Sequence, residues 1–163
     1  MKMFHFRLFV MKLYSEELNP WYITGLCDGE AAFTFSRTGF KSLSLYFAIK
    51  LTRSDKGYLG TIRDYFGTGK IYYVKPLSAK ENAGWTKSVA YYRVSKLSEL
   101  EKIINHFDKY PLQSQKVESY RIWRKIFFLK KSGFRKPDYI KINELIKQLS
   151  ESSPRNQPWD GTN

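Results

Sequence analysis

Residues 43–51, LSLYFAIKL, alternate without a break: Leu43, Leu45, Phe47, Ile49 and Leu51 point one way, and Ser44, Tyr46, Ala48 and Lys50 the other. A period of two over this length marks a β-strand with one face on a core and one face open. The chain therefore has to build a sheet that is covered on one side only, an arrangement typical of antiparallel sheets. Three other segments read as strands: AAFTFSRTG at residues 31–39, with Phe33 and Phe35 on one face, KIYYVK at 70–75 and SVAYYRVS at 88–95. The polar stretch from Pro76 to Gly84 reads as a loop between the last two.

Helical patterns supply the covering layer. Asn19-Pro20 is a helix start, with Asn as N-cap and Pro at the first helical position, and the helix runs through Trp21, Tyr22, Ile23, Leu26 and Cys27 to stop near Gly29. Ser54 or Asp55 can cap a second helix that carries Leu59, Ile62 and Phe66 at helical spacing and ends at Gly67-Thr68-Gly69. A third has the stripe Leu97, Leu100, Ile103, Ile104 and Phe107, with Ser98 and Glu101 at capping-box spacing. After a Pro-containing link at residues 108–115, a long helix over 116–131 presents Val117, Tyr120, Trp123, Ile126 and Phe127. Trp123, Phe127 and Phe128 read as core residues. A last helix over 138–150 uses Ile142, Leu145, Ile146 and Leu149. The order is α+β without a tandem repeat. It predicts one domain over residues 17–151, an N-terminal extension at 1–16 and a frayed tail at 152–163.

Charge narrows the partner. Lys and Arg number 28 against 15 acids, a formal charge of +13, and this excess favours a polyanion, either nucleic acid or an anionic membrane face. The membrane reading lacks support: no apolar run approaches the roughly 20 residues of a span, and no single helix joins a basic face to a large lipid-facing stripe. With one cysteine, Cys27, and two histidines, His5 and His106, neither an internal disulfide nor a typical zinc cluster can form. The opening MKMFHFRLFVMKLY is too interrupted by His5, Arg7 and Lys12 for a secretory signal; it is either a weak organelle-targeting stretch or a plain extension.

The segment ITGLCDGEA, residues 23–31, resembles the nine-residue signature of the LAGLIDADG homing endonucleases. Ile23, Gly25, Leu26, Asp28, Gly29 and Glu30 match its apolar, Gly, apolar, acidic, small and acidic positions, whereas Ala31 departs from the usual final Gly. LNPWYITG around it is similar to the organellar, intron-encoded branch with a single motif, and FGTGKIYY at 66–73 and HFDKYPLQSQKVESY at 106–120 are further echoes in the family's order. The resemblance implies an αββαββα core whose curved antiparallel four-stranded sheet binds DNA, followed by C-terminal helices.

It also implies a site. Gly25 and Gly29 lie four apart, so another helix can approach closely. With one signature copy where the family needs two, the implied partner is an identical chain, with Tyr22, Gly25, Leu26 and Gly29 at the seam. Glu30 is placed just past the helix end, where orphan carbonyls already add negative character. Paired across the seam, two Glu30 carboxylates with main-chain oxygens around Gly29 and Ala31 would hold Mg²⁺, with Mn²⁺ or Ca²⁺ able to replace it for binding. Glu30, Lys116 and Lys50 are the implied catalytic set, although a solvated lysine explains Lys116 equally and the family's Gln near the strand end is matched here only by Lys50 and Leu51. Asp28 reads as a structural acid holding the helix end to backbone N–H groups, ahead of a second metal-site role.

A sheet of this kind fits the major groove. The residues offered to DNA are Thr34, Ser36, Thr38, Ser44, Tyr46, Lys50, Lys70, Tyr72 and Arg93 on open faces, with Arg37 and Lys75 at strand ends for phosphates. Arg121, Arg124, Lys125, Lys130, Lys131, Arg135 and Lys136 form a helical patch expected to add sequence-independent attraction. The implied activity is metal-dependent cleavage of double-stranded DNA at a long, nearly palindromic site in an intronless host gene, inside a mitochondrion or chloroplast. The alternative is an intron RNA-binding maturase of the same family without cleavage.

Overall fold

A computed structural model describes residues 18–37, 42–52, 56–74, 89–133 and 136–152. The order is α1 (Pro20–Glu30), β1 (Ala31–Arg37), β2 (Leu43–Thr52), α2 (Lys56–Phe66), β3 (Lys70–Val74), β4 (Val89–Val94), α3 (Leu97–Lys109), α4 (Lys116–Ser132) and α5 (Tyr139–Glu151). The α+β class and the αββαββα order with C-terminal helices are as expected. The extension at 1–16, the cap at Ser54 or Asp55, the 76–84 loop and residues 153–163 of the tail lie outside the described residues.

All three strand pairings are antiparallel and the sheet order is β1-β2-β4-β3. Alternation decides the faces: Leu43, Leu45, Phe47 and Ile49 of β2 are buried and Leu51 is half-buried, while Ser44 and Lys50 are exposed. Ala48 belongs to the open face by alternation yet is covered, because larger neighbours on that face close over its methyl group. On the buried face Phe33 is an aromatic hub, its ring centroid 5.4 Å from Phe47, 5.2 Å from Phe107, 5.1 Å from Tyr120 and 5.6 Å from Trp123. Edge-to-face rings add directional stabilisation to the burial, and here they tie β1, β2, α3 and α4 together.

Three local readings are corrected. α1 continues through Gly29 to Glu30, and the extended Ala31 returns its N–H to Cys27 O; Glu30 is thus the last helical residue rather than one beyond the end. Ser98 and Glu101 do not form a capping box: the N-cap of α3 is Lys96, without a side-chain bond, and Glu101 pairs with Lys131 at 2.6 Å. Phe128 is not core; it is 41% exposed, beneath the Arg124 guanidinium at 4.8 Å. In each case a one-residue shift in helix phase or a long-range partner overrode the local pattern. The Gly67-Thr68-Gly69 turn, by contrast, is required by sterics. Gly67 and Gly69 have φ of 59° and 84°, and a Cβ on Gly69 would stand 2.6 Å from the Tyr92 ring and 2.9 Å from Arg93 O.

A buried polar chain fixes α1 against α2 and α3. Thr24 Oγ1 donates to Tyr110 O at 2.9 Å, so towards His106 Nε2, 3.2 Å away, it can only accept. His106 therefore carries its proton on Nε2, and Nδ1 accepts from the Tyr65 hydroxyl at 3.0 Å. The imidazole is enclosed by Phe66, Phe107 and Tyr110, and burial lowers its pKa from 6.5 to about 4. The folded state then binds this proton less well than the unfolded chain, so stability is complete above the unfolded pKa and declines as pH falls towards the folded one. Thermal or urea unfolding between pH 7 and 5 should show a loss of roughly 1 kcal/mol per pH unit at its steepest, and His106→Gln should flatten this stretch of the profile. An unchanged slope in the variant would exclude His106 as its source.

Candidate nuclease site and nucleic-acid interface

α1 is two-faced. Ile23, Thr24 and Cys27 are buried, whereas Tyr22, Gly25 and Gly29 are exposed and Leu26 is half-buried. A Cβ placed on Gly25 or Gly29 would meet nothing within 4 Å. Tyr22, 54% exposed, leans edge-on against Tyr58. The four residues expected at a seam thus share an uncovered surface that a second helix could approach.

The C-terminal turn of α1 is held by the segment that leads into α4. Asp28 Oδ2 accepts from Gln113 N at 3.0 Å, and Oδ1 accepts from Ser114 N at 3.1 Å and Ser114 Oγ at 2.7 Å. Lys116 Nζ donates to Gly29 O at 2.7 Å and to Cys27 O at 3.2 Å. A lysine at the negative end of a helix dipole is the favourable sign. Lys116 is consequently engaged with the main chain of α1, and Asp28 with the link.

Glu30 closes the helix, exposed, and lines a cavity of about 760 Å³. This cavity brings together Gly29, Glu30 and Ala31 with Lys50 and Lys116, and its floor includes Thr34, Tyr46, Tyr72 and Arg93. Arg93 Cζ lies 3.7 Å from the Tyr46 ring centroid and Lys50 Nζ lies 5.8 Å from that of Tyr91. Ser36 and Ser44 face each other further along the β1–β2 pair, and Lys70 pairs with Arg93; these three do not line the cavity. Arg37 bonds Asn143 of α5 instead of projecting alone. Thr38 and Lys75 lie outside the described residues. Among the described residues no three His, Cys, Asp or Glu side chains gather into a metal-binding group. One unit offers the Glu30 carboxylate and main-chain carbonyls at the α1 end, two of which already accept from Lys116; this all-oxygen set suits a hard divalent cation but is too small to cage one.

The family profile described as "LAGLIDADG endonuclease" matches residues 23–127, a span that holds the α1 signature, the whole sheet and Lys116. The chain belongs to the LAGLIDADG endonuclease family. The "Uncharacterized 50.9 kDa protein in ND4 intron 1" of Podospora anserina is 32% identical over 71% of this chain and 25% of its own length. The "Probable intron-encoded endonuclease Cox1-I1b" of Schizosaccharomyces pombe is 30% identical over 83% of this chain and 35% of its own. The chain spans a fifth to a third of these curated relatives. The LAGLIDADG meganuclease I-AabMI, crystallised on uncleaved DNA, superposes with a TM-score of 0.65 at 32% identity over 78% of this chain and 43% of that one. The homing endonuclease I-GzeII, in complex with its DNA target, gives 0.66 at 28% identity over 85% and 46%.

Within this LAGLIDADG unit several cations of the helical basic patch have partners of their own. Arg124 makes two-pronged contact with Asp108, Lys131 binds Glu101, Arg121 faces Glu118 at 3.9 Å and Lys130 donates to Leu43 O at 2.8 Å. Four of the seven expected phosphate-attracting cations therefore have partners within the unit, and Arg135 lies outside the described residues. Tyr91 was absent from the expected set, although it lines the cavity and pairs with both Lys50 and Tyr72; the alternation that exposes Arg93 exposes Tyr91 as well. Ser119, Leu149 and Ser150, which reach the rim from α4 and α5, leave no mark in the strand pattern.

Asp28 is the anchor most open to test. Asp28→Ala leaves the Ser114 and Gln113 amides without their acceptor and should cost about 1–3 kcal/mol, read by urea unfolding. A change below a few tenths of a kcal/mol would show that the link docks without it.

Proposed function

We propose that this unit is half of a divalent-metal-dependent, site-specific DNA endonuclease that works as a homodimer. The observation that carries the reading is the position of Glu30: an exposed carboxylate with no partner among the described residues, where the glycine face of α1, uncovered by those residues, meets the cavity formed by the open face of the sheet. Two units joined through Gly25 and Gly29 would bring two Glu30 side chains together, supplying the oxygen ligands that one unit lacks. The bound cation would activate water and stabilise the leaving oxyanion of a phosphodiester.

This chain's residues have distinct tasks in that reading. Glu30 and the carbonyls near Gly29 and Ala31 hold the cation, and Mg²⁺ fits the donor chemistry, with Mn²⁺ or Ca²⁺ as substitutes in binding. Lys116 and Lys50 offset phosphate charge on the cavity side. The open faces of β1, β2, β4 and β3 lie along the major groove, with Thr34, Tyr46, Tyr72 and Arg93 towards the bases and Ser36, Ser44 and Lys70 further out. The DNA-bound meganucleases that share this fold support duplex DNA as the partner. The ND4 and cox1 introns named for the relatives support a mitochondrial setting over a chloroplast one.

Plasmids carrying the intronless host-gene sequence, incubated with the protein in Mg²⁺ or in EDTA, test the activity directly. Double-strand cleavage that requires Mg²⁺ is expected. Glu30→Gln should abolish cutting while duplex binding in Ca²⁺ stays within a few-fold of wild type; parallel loss of binding would count against the metal role. Intron RNA binding without cleavage in any metal would favour the maturase alternative. Gly25→Leu should give monomers by light scattering and weaken duplex binding about 100-fold or more, the scale of lost bivalency. A stable dimer of that variant would refute the seam.

A further inference from the structure

Four of the five arginines among the described residues have partners within the chain. Among the described residues, Arg37 bonds Asn143, Arg63 pairs with Asp64, Arg121 with Glu118 and Arg124 with Asp108. Arg93 differs. It has neither a carboxylate nor a hydrogen-bond partner among the described residues, and its Nε is buried and unpartnered. A partly desolvated guanidinium without an anion is costly, and what offsets the cost is the Tyr46 ring, 3.7 Å from Cζ to centroid. At that separation the guanidinium carbon is in van der Waals contact with the ring.

The stack decides what Arg93 can present. With Cζ held over the ring and Nε buried, the terminal nitrogens are the atoms left to donate, and Arg93 is among the residues that line the cavity. Arg93 sits on the inner strand β4, in a row that runs Ala32, Ala48, Arg93, Lys70 across all four strands. Two methyl groups on one side leave that part of the floor low. A cation placed only for phosphate would be expected at the sheet edge and exposed, as Lys70 is on the outer strand β3. Arg93 is central, immobilised and planar, the form suited to a flat two-acceptor target.

We propose that Arg93, clamped by Tyr46, reads one guanine in each half-site by donating from its two terminal nitrogens to O6 and N7 in the major groove. The inference rests on the DNA-endonuclease reading above and names the base and the residue that selects it. Tyr46 is the positioning residue: it fixes the guanidinium plane and need not touch DNA itself.

The test is selection from a library of randomised duplexes in Ca²⁺, repeated with variants whose folding is checked by thermal unfolding. Wild type should return one guanine per half-site that Arg93→Ala no longer prefers, with the guanine-over-adenine ratio at that pair falling about 10- to 100-fold and preferences elsewhere unchanged. Arg93→Lys, which keeps charge and stem, should lose most of the same preference. Tyr46→Phe should retain it and Tyr46→Leu weaken it at that one position. An Arg93→Ala profile that is unchanged in shape but weaker for every sequence would assign the residue to phosphate and overturn the proposal, as would a shift at a pair other than guanine–cytosine. Wild-type protein that binds no duplex would overturn it together with the endonuclease reading, whereas selective duplex binding indifferent to Arg93 would sink this inference alone.

Discussion

The last turn of α1 gathers charge of one sign. Its terminal carbonyls lack helical partners, and Asp28 and Glu30 add two carboxylates within three residues. Left alone, such a turn would fray. The chain answers with one short segment: Lys116 supplies an ammonium to the Gly29 and Cys27 carbonyls, and the Gln113 and Ser114 amides receive Asp28. One acid is thereby consumed and the other, Glu30, remains exposed. The opposite face of the same helix is secured by the Thr24, His106 and Tyr65 chain. Everything proposed for cleavage depends on α1 being held from behind while its front stays uncovered.

How much of this could be read in advance follows from the range of each interaction. The sheet was legible because alternation is local: Phe47 and Lys50 declare their faces three residues apart. The signature helix was legible through its spaced glycines and acids, and the structural role of Asp28 through its place at a helix end. What failed was long-range. No pattern around Arg124 or Lys131 announces that Asp108 and Glu101 stand opposite, so the pairing of these cations with α3 is visible only in the structure. Ser98 looked like a cap because its spacing to Glu101 is right, yet Lys96 begins the turn two residues earlier. Arg37 looked available until α5 brought Asn143 beside it.

The revised charge distribution sharpens the division of labour between the two sides of the sheet. Partnered cations on α3 and α4 cement the helical layer. On the open side, Lys50 and Arg93 lie over tyrosine rings and form no ion pair among the described residues. Rings hold a cation without neutralising it, so the groove keeps its positive potential while the side chains lose conformational freedom. Net charge alone does not reveal such a division; it depends on which residues sit opposite each acid.

α1 ends at Glu30 and β1 begins at Ala31 with no linker between them. The residue proposed for cutting and the first strand proposed for reading are therefore adjacent in the chain, and Ala31 is already paired with Ile49 of the inner strand β2. A hinge cannot open at this junction without breaking either the helix or the ladder. In the proposed dimer, any tilt of one protomer against its mate would be carried as a lever into the sheet, and any change of sheet twist would be carried back to the carboxylate. The spacing between the Glu30 carboxylate and the open face of the sheet is in this sense written into the covalent chain, which leaves loops and side chains free to diversify around it.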